Sequence, residues 1–223
     1  MANPEGELDP PRREPVFKAP WPAMALVGAL LGAYALQIFV LGEAAYRAFG
    51  FSPAGLDQGA WPQLFTALFV HGNLAHVLMN TAGALAFGAP VARLIGVRGL
   101  GPASFFGFYL LCGALANYGF ARLHPGADIL LVGASGAVFG LIAAATRILA
   151  GRGQLAPVFN PRVLAMTAAW IGLNIIVGLL GASPGLGADQ AIAWEAHVFG
   201  FLAGLLLVGP AVWLGRRGRG GRA

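Results

Sequence analysis

The chain has 223 residues with 14 Lys or Arg against 9 Asp or Glu, so charged side chains make up 10% where an ordinary soluble domain carries about 25%. Apolar residues reach 57%, glycine occupies 34 positions, and Cys112 is the single cysteine. A water-exposed globule, a disordered chain and a disulfide-stapled secreted module are excluded, and the composition is that of a membrane protein.

Residues 1–20 mix Glu5, Glu7, Asp9 and Glu14 with Arg12, Arg13 and Lys18 among several prolines, and they hold no apolar core. They read as a short disordered cytoplasmic tail and not as a signal or transit peptide. Beyond them, spans are found as intervals free of Asp, Glu, Lys and Arg, because a charge at mid-bilayer costs at least about 2.5–3.5 kcal/mol. Six are long enough: Ala19 to Gly42, Gln58 to Ala92, Gly99 to Ala121, Ile129 to Thr146, Val163 to Ala188 and Ala196 to Gly215. A crossing needs about 20 residues, so each interval fits one helix, with a loop ahead of the second. The expectation is an all-α membrane domain over 21–215, with spans near 23–42, 64–89, 101–121, 130–149, 163–181 and 194–214, followed by a basic tail at 216–223.

Assigning successive loops to alternate sides places every basic residue except Arg47 and Arg122 on one side. The positive-inside rule then puts both termini in the cytoplasm and the loops at 43–62, 122–130 and 182–194 outside. The net charge of +5 is accounted for by these cytoplasmic flanks, so nucleic acid is not an expected partner. The final arginines are expected to lie against anionic lipid head groups.

Polar residues inside the spans carry the functional information. Span two holds His71, Asn73, His76 and Asn80, span four opens with Gly133, Ala134, Ser135 and Gly136, and span six opens with Trp194, Glu195, Ala196 and His197. Spans two, four and six all enter from outside. With span two starting near Leu64, His71 lies about 10 Å along it and Asn80 about 24 Å, at 1.5 Å per residue. Ser135 and His197 are each a few residues into their helices, so the three clusters converge near the outer leaflet.

Each cluster has an ordinary structural reading. A serine in an apolar helix most often bonds back to a carbonyl one turn earlier, His and Asn serve as glue between helices, and His197 alone could be a packed histidine or an interface anchor. Two G-x-x-x-G pairs favour the joint reading: Gly136 with Gly140, and Gly200 with Gly204, allow close backbone approach in lipid. If those faces meet, Ser135 and His197 come within hydrogen-bonding range as a nucleophile and its general base. His76 and Asn80, at i and i+4, can aim at one point as oxyanion donors, and the Ser135 backbone N–H near a helix N-terminus adds a third. His71, about 140° round from His76 on a helix, reads as a structural or water-holding group. No Asp or Glu stands where it could orient His197; Glu195 points to another face. The expectation is therefore a Ser–His dyad with Phe139 stacked on the imidazole.

His71-x4-His76-x3-Asn80 on span two, Gly133-Ala134-Ser135-Gly136 on span four and Ala196-His197-x2-Gly200-x3-Gly204 on span six together resemble the rhomboid intramembrane serine proteases. The resemblance covers about residues 20–215 and the basic six-helix bacterial form. It implies cleavage of single-span membrane proteins near their outer end, in a bacterial inner membrane, by Ser135 and His197. It also implies an oxyanion hole of His76, Asn80 and the Ser135 amide, no metal or cofactor, and a preference for small residues at the cut with helix-weakening residues beyond. Two departures stand out: the first outer loop has Pro62 and Gln63 after Trp61 where the family often has Trp-Arg, and Phe139 stands where some members have Tyr. Met79 and Trp170 are candidates for a bulky gate between spans two and five. The rivals are a catalytically silent rhomboid-like protein that escorts membrane clients, and a small transporter or metal-handling protein using His71, His76 and His197. The first typically lacks the serine or histidine, and the second calls for acidic ligands, of which the charge-free intervals contain none.

Overall fold

A computed structural model describes residues 19–180 and 193–217. Most of both expected tails, and residues 182–192 of the third outer loop, lie outside the described residues. Helix α1 (Trp21–Leu36) follows Pro20 and carries Pro22 in its first turn, where a missing N–H leaves no bond unmade. It runs on through one π-helical turn, Gln37–Leu41. Three short helices then lie in the loop that follows α1: α2 (Ala44–Phe49), α3 (Pro53–Asp57) and α4 (Gln63–Thr66), the last leading into a 3₁₀ turn at Ala67–Phe69. The remaining elements are α5 (Leu74–Ile95), α6 (Gly101–Leu123), α7 (Ser135–Ala150), α8 (Pro161–Leu179) and α9 (Trp194–Arg217).

Five of these are long and apolar enough to cross a membrane: α1 with its π turn, α5, α6, α8 and α9. The sixth apolar helix, α7, has 16 residues. It is about 24 Å long against a hydrocarbon core of about 30 Å. Its environment explains how a short helix is tolerated. Twelve of its residues, from Gly136 to Ala150, are buried, so it is wrapped by protein and has little lipid boundary to match.

The helix expected to start near Leu64 starts instead at Leu74, which is a correction. Val70 and Asn73 are extended, and the Asn73 side chain accepts from the His76 N–H at 2.8 Å as an N-cap. A hydrophobic interval cannot register that break, but Asn at this position competes with helix continuation by bonding the backbone locally.

α7 and α9 meet backbone to backbone. A Cβ on Gly200 would strike the Gly136 carbonyl, and one on Gly204 would strike the Gly140 carbonyl. On its other flank α7 rests on Ala116 and Cys112 of α6, again small side chains. Hydrogen bonds between elements are strengthened by the lack of competing water: Ser104 Oγ donates to the Ala211 carbonyl at 2.7 Å, and the Arg147 guanidinium donates to the carbonyls of Ala156 at 2.8 Å and Leu205 at 2.6 Å. α8 is different in kind. Only Val163 and Asn174 along it are buried, and Leu164, Leu173, Ile176 and Leu179 face outward.

Candidate active site

The segment before α7 is pinned to the loop between α1 and α5. Phe51 and Leu131 form an isolated antiparallel bridge with N–H···O distances of 3.0 and 2.7 Å, and the Gly133 N–H donates to the Ala67 carbonyl at 2.9 Å. Gly133 has φ +112°, and a side chain there would also run into the His76 ring. Glycine is thus required twice over, by conformation and by space. The chain then turns into α7 with Ser135 as its first residue, so the hydroxyl stands at a helix N-terminus.

Ser135 Oγ lies 2.8 Å from His197 Nε2, within hydrogen-bond distance, and the imidazole is buried. Phe139, one turn along α7, stacks on that ring with centroids 4.3 Å apart and planes 8° apart. His197 Nδ1 lies 2.8 Å from Asn174 Oδ1 on α8, and Asn174 Nδ2 donates to the Trp194 carbonyl, also at 2.8 Å. Glu195 turns to the other side of α9, 3.4 Å from His124 Nε2. Asn174 escaped the sequence reading because a search for an acidic third member passes over a neutral amide. The available signal was an Asn inside an otherwise apolar span, which needs a partner in lipid.

His76 and Asn80 project from the first two turns of α5 toward Gly133: its Cα abuts the His76 ring, and Asn80 Nδ2 lies 3.6 Å from where a Gly133 Cβ would be. Among the described residues His76 Nδ1 and Asn80 Nδ2 are buried without a hydrogen-bond partner, as are both ring nitrogens of His71. His71 precedes α5 and so is not subject to the helical-wheel argument that set it apart. Its ring packs edge-on against His76 at 5.1 Å. Its backbone is held by Gln37, whose amide donates to the His71 carbonyl at 2.8 Å and accepts from its N–H at 2.9 Å. The Tyr46 hydroxyl donates to the same carbonyl at 3.1 Å. Burial, reinforced by the Glu43 carboxylate, pushes the Tyr46 phenol above its ordinary 10.0, so it remains a donor.

Between α5 and α8 the residue facing Trp170 is Phe87, edge-on at 5.9 Å, while Met79 is 53% exposed. An apolar cleft of about 420 Å³ opens beside this pair, lined also by Ile142, Ala145 and Met166.

A half-buried serine hydroxyl bonded to a buried histidine, within a bundle of apolar helices, has the parts of a membrane-embedded serine hydrolase. A model of the Rhomboid domain matches residues 58–213, and the chain belongs to the rhomboid family, as its motifs indicated. It is 28% identical over 153 residues to a Bacillus subtilis (strain 168) protein named "Putative rhomboid protease YdcA", covering 69% of this chain and 68% of that one. It is 29% identical over 174 residues to rhomboid protease GluP of the same organism, covering 70% of this chain and 32% of that protein. Family and relatives, with the apolar helices, describe an integral membrane hydrolase of the protease class.

Proposed function

We propose that the protein is an intramembrane serine endopeptidase that cleaves single-span membrane proteins near the outer membrane face, with Ser135 as nucleophile and His197 as general base. The observation that carries this reading is the 2.8 Å hydrogen bond between Ser135 Oγ and His197 Nε2 at the N-terminal end of α7. As Oγ bonds to the scissile carbonyl carbon, its proton passes to Nε2. The carbonyl oxygen becomes an oxyanion, received by the His76 ring, the Asn80 amide and the Ser135 backbone N–H. Collapse breaks the C–N bond, and the leaving amine takes the proton from Nε2. Water then repeats the sequence on the ester, with His197 taking its proton and returning it to Ser135. No metal or cofactor takes part in these steps.

In this reading α7 is span four and completes the set of six, ending inside the bilayer because protein surrounds it, so the serine lies below the outer surface. Both termini are cytoplasmic, the active site opens outward, and the membrane is a bacterial inner membrane, consistent with the bias of basic residues. A substrate helix must unwind locally, since helical amides protect one another from attack, which favours small and helix-weakening residues near the cut.

The test is cleavage in proteoliposomes of tagged single-span model proteins with small residues at their outer junction. The wild type is expected to release a fragment that neither Ser135→Ala nor His197→Ala produces. Hydrolysis by His197→Ala at the wild-type rate would overturn the assignment of the base.

A further inference from the structure

Resting on that reading of Ser135 and His197, we propose that Asn174 is a positioning residue for the reaction: its amide holds His197 in the tautomer and orientation that leave Nε2 free to take the serine proton. Asn174 stands on α8. Apart from Val163, Asn174 is its only buried residue, on a helix that otherwise shows leucines and isoleucines to its surroundings. A primary amide in that position is unfavourable unless its hydrogen bonds are made, and both ends of this one are engaged.

Those bonds fix which end is which. The Trp194 carbonyl can only accept, so the group 2.8 Å from it is the amide NH2. Oδ1 must then be the atom 2.8 Å from His197 Nδ1. Oδ1 can only accept as well, so Nδ1 carries the hydrogen. A neutral imidazole has one N–H, and Nε2 is left with its lone pair directed at the Ser135 hydroxyl, 2.8 Å away. The ring is constrained in two independent ways: Phe139 sets its plane by stacking, and Asn174 sets its rotation within that plane.

A carboxylate would do the same work with added charge stabilisation, but burying an anion among apolar helices carries a large desolvation penalty. The amide supplies orientation without that penalty. Asn174 touches neither substrate nor the reacting atoms in this account, and acts through His197.

Two measurements test the role. In wild-type protein with 15N-labelled histidine in detergent, the ring nitrogens of His197 report the tautomer. A protonated Nδ1 beside an unprotonated Nε2 is expected, and the reverse pattern overturns the proposal. The second measures the rate at which a fluorescent fluorophosphonate modifies Ser135, together with kcat and KM on a single-span substrate. Asn174→Leu keeps the volume and removes both hydrogen bonds; it is expected to label and turn over on the order of 10- to 100-fold more slowly, the loss falling on kcat with KM little changed. Asn174→Asp keeps the acceptor for Nδ1 and gives up the bond to Trp194, and it is expected to recover most of that rate. If Asn174→Asp is as slow as Asn174→Leu, the residue is a strut between α8 and α9 and the proposal fails. If Asn174→Leu matches wild type while His197→Ala does not label, the proposal fails and the dyad stands. If His197→Ala itself labels at the wild-type rate, the underlying reading of the base fails.

Discussion

α9 and α8 both deliver a side chain to the same imidazole cluster, yet they are built differently. α9 reaches α7 through glycine pairs that bring backbone against backbone, whereas α8 buries only Val163 and Asn174 and otherwise meets the bundle through Gly178 against Trp194, Ile171 and the edge of Trp170. The proposed nucleophile and base sit on the close-packed pair, where a shift of either helix meets immediate steric resistance. The orienting amide and the aromatic contact beside the apolar cleft sit on the loosely held helix. Rigid placement is thus given to the two groups proposed to exchange a proton, while the helix that borders the apolar cleft is held with less buried surface.

Breaking the close-packed side should have the largest effect. Gly200→Leu forces a side chain into the Gly136 carbonyl and is expected to cost at least about 3 kcal/mol, abolishing activity by loss of the fold, which thermal unfolding in detergent would register. His197→Ala leaves that contact intact, and should lower kcat by roughly 10²–10⁴-fold with an unchanged melting midpoint. Asn80→Ala removes one oxyanion donor of several and should cost roughly 10²–10³-fold in kcat, less than Ser135→Ala; equal abolition in a folded protein would point to another role for Asn80. Phe139→Leu loses the stack worth about 0.5–1.5 kcal/mol and is expected to slow turnover by about tenfold at most. On the loose side, Trp170→Ala removes the edge contact to Phe87 and should act on KM by no more than about threefold while leaving kcat unchanged. A large fall in kcat there would mean that α8 holds the site as firmly as α9 does.

Much of this arrangement was legible in the sequence because lipid restricts what a chain can do. Charge-free intervals mark where helices lie, as α1, α6, α8 and α9 illustrate, since a charge in the hydrocarbon is costly whatever the fold. Gly136, Gly140, Gly200 and Gly204 announced a close approach because glycine spaced by four is what such an approach needs. Other features depend on three-dimensional neighbours and were hidden. The break between Val70 and Asn73 lies inside a charge-free interval, so a search for charges passes over it; its backbone state is set by the Asn73 cap and by the Gln37 amide gripping His71 from the first helix. Asn174 could be marked as needing a partner, but only the fold brings it to His197, 23 residues along the chain. Gly133 was picked out by its motif, while its physical reason, a φ of +112° against the His76 ring, is visible only in the folded chain.

The central claim is that the Ser135 hydroxyl is activated by His197. It is tested most directly by treating the purified protein in detergent with a fluorescent fluorophosphonate and locating the adduct by mass spectrometry, alongside folded Ser135→Ala and His197→Ala. The account predicts a single adduct on Ser135 that both substitutions abolish. Folded wild-type protein that stays unlabelled, while a known serine hydrolase in the same detergent is modified, would contradict it and make client binding the function to pursue.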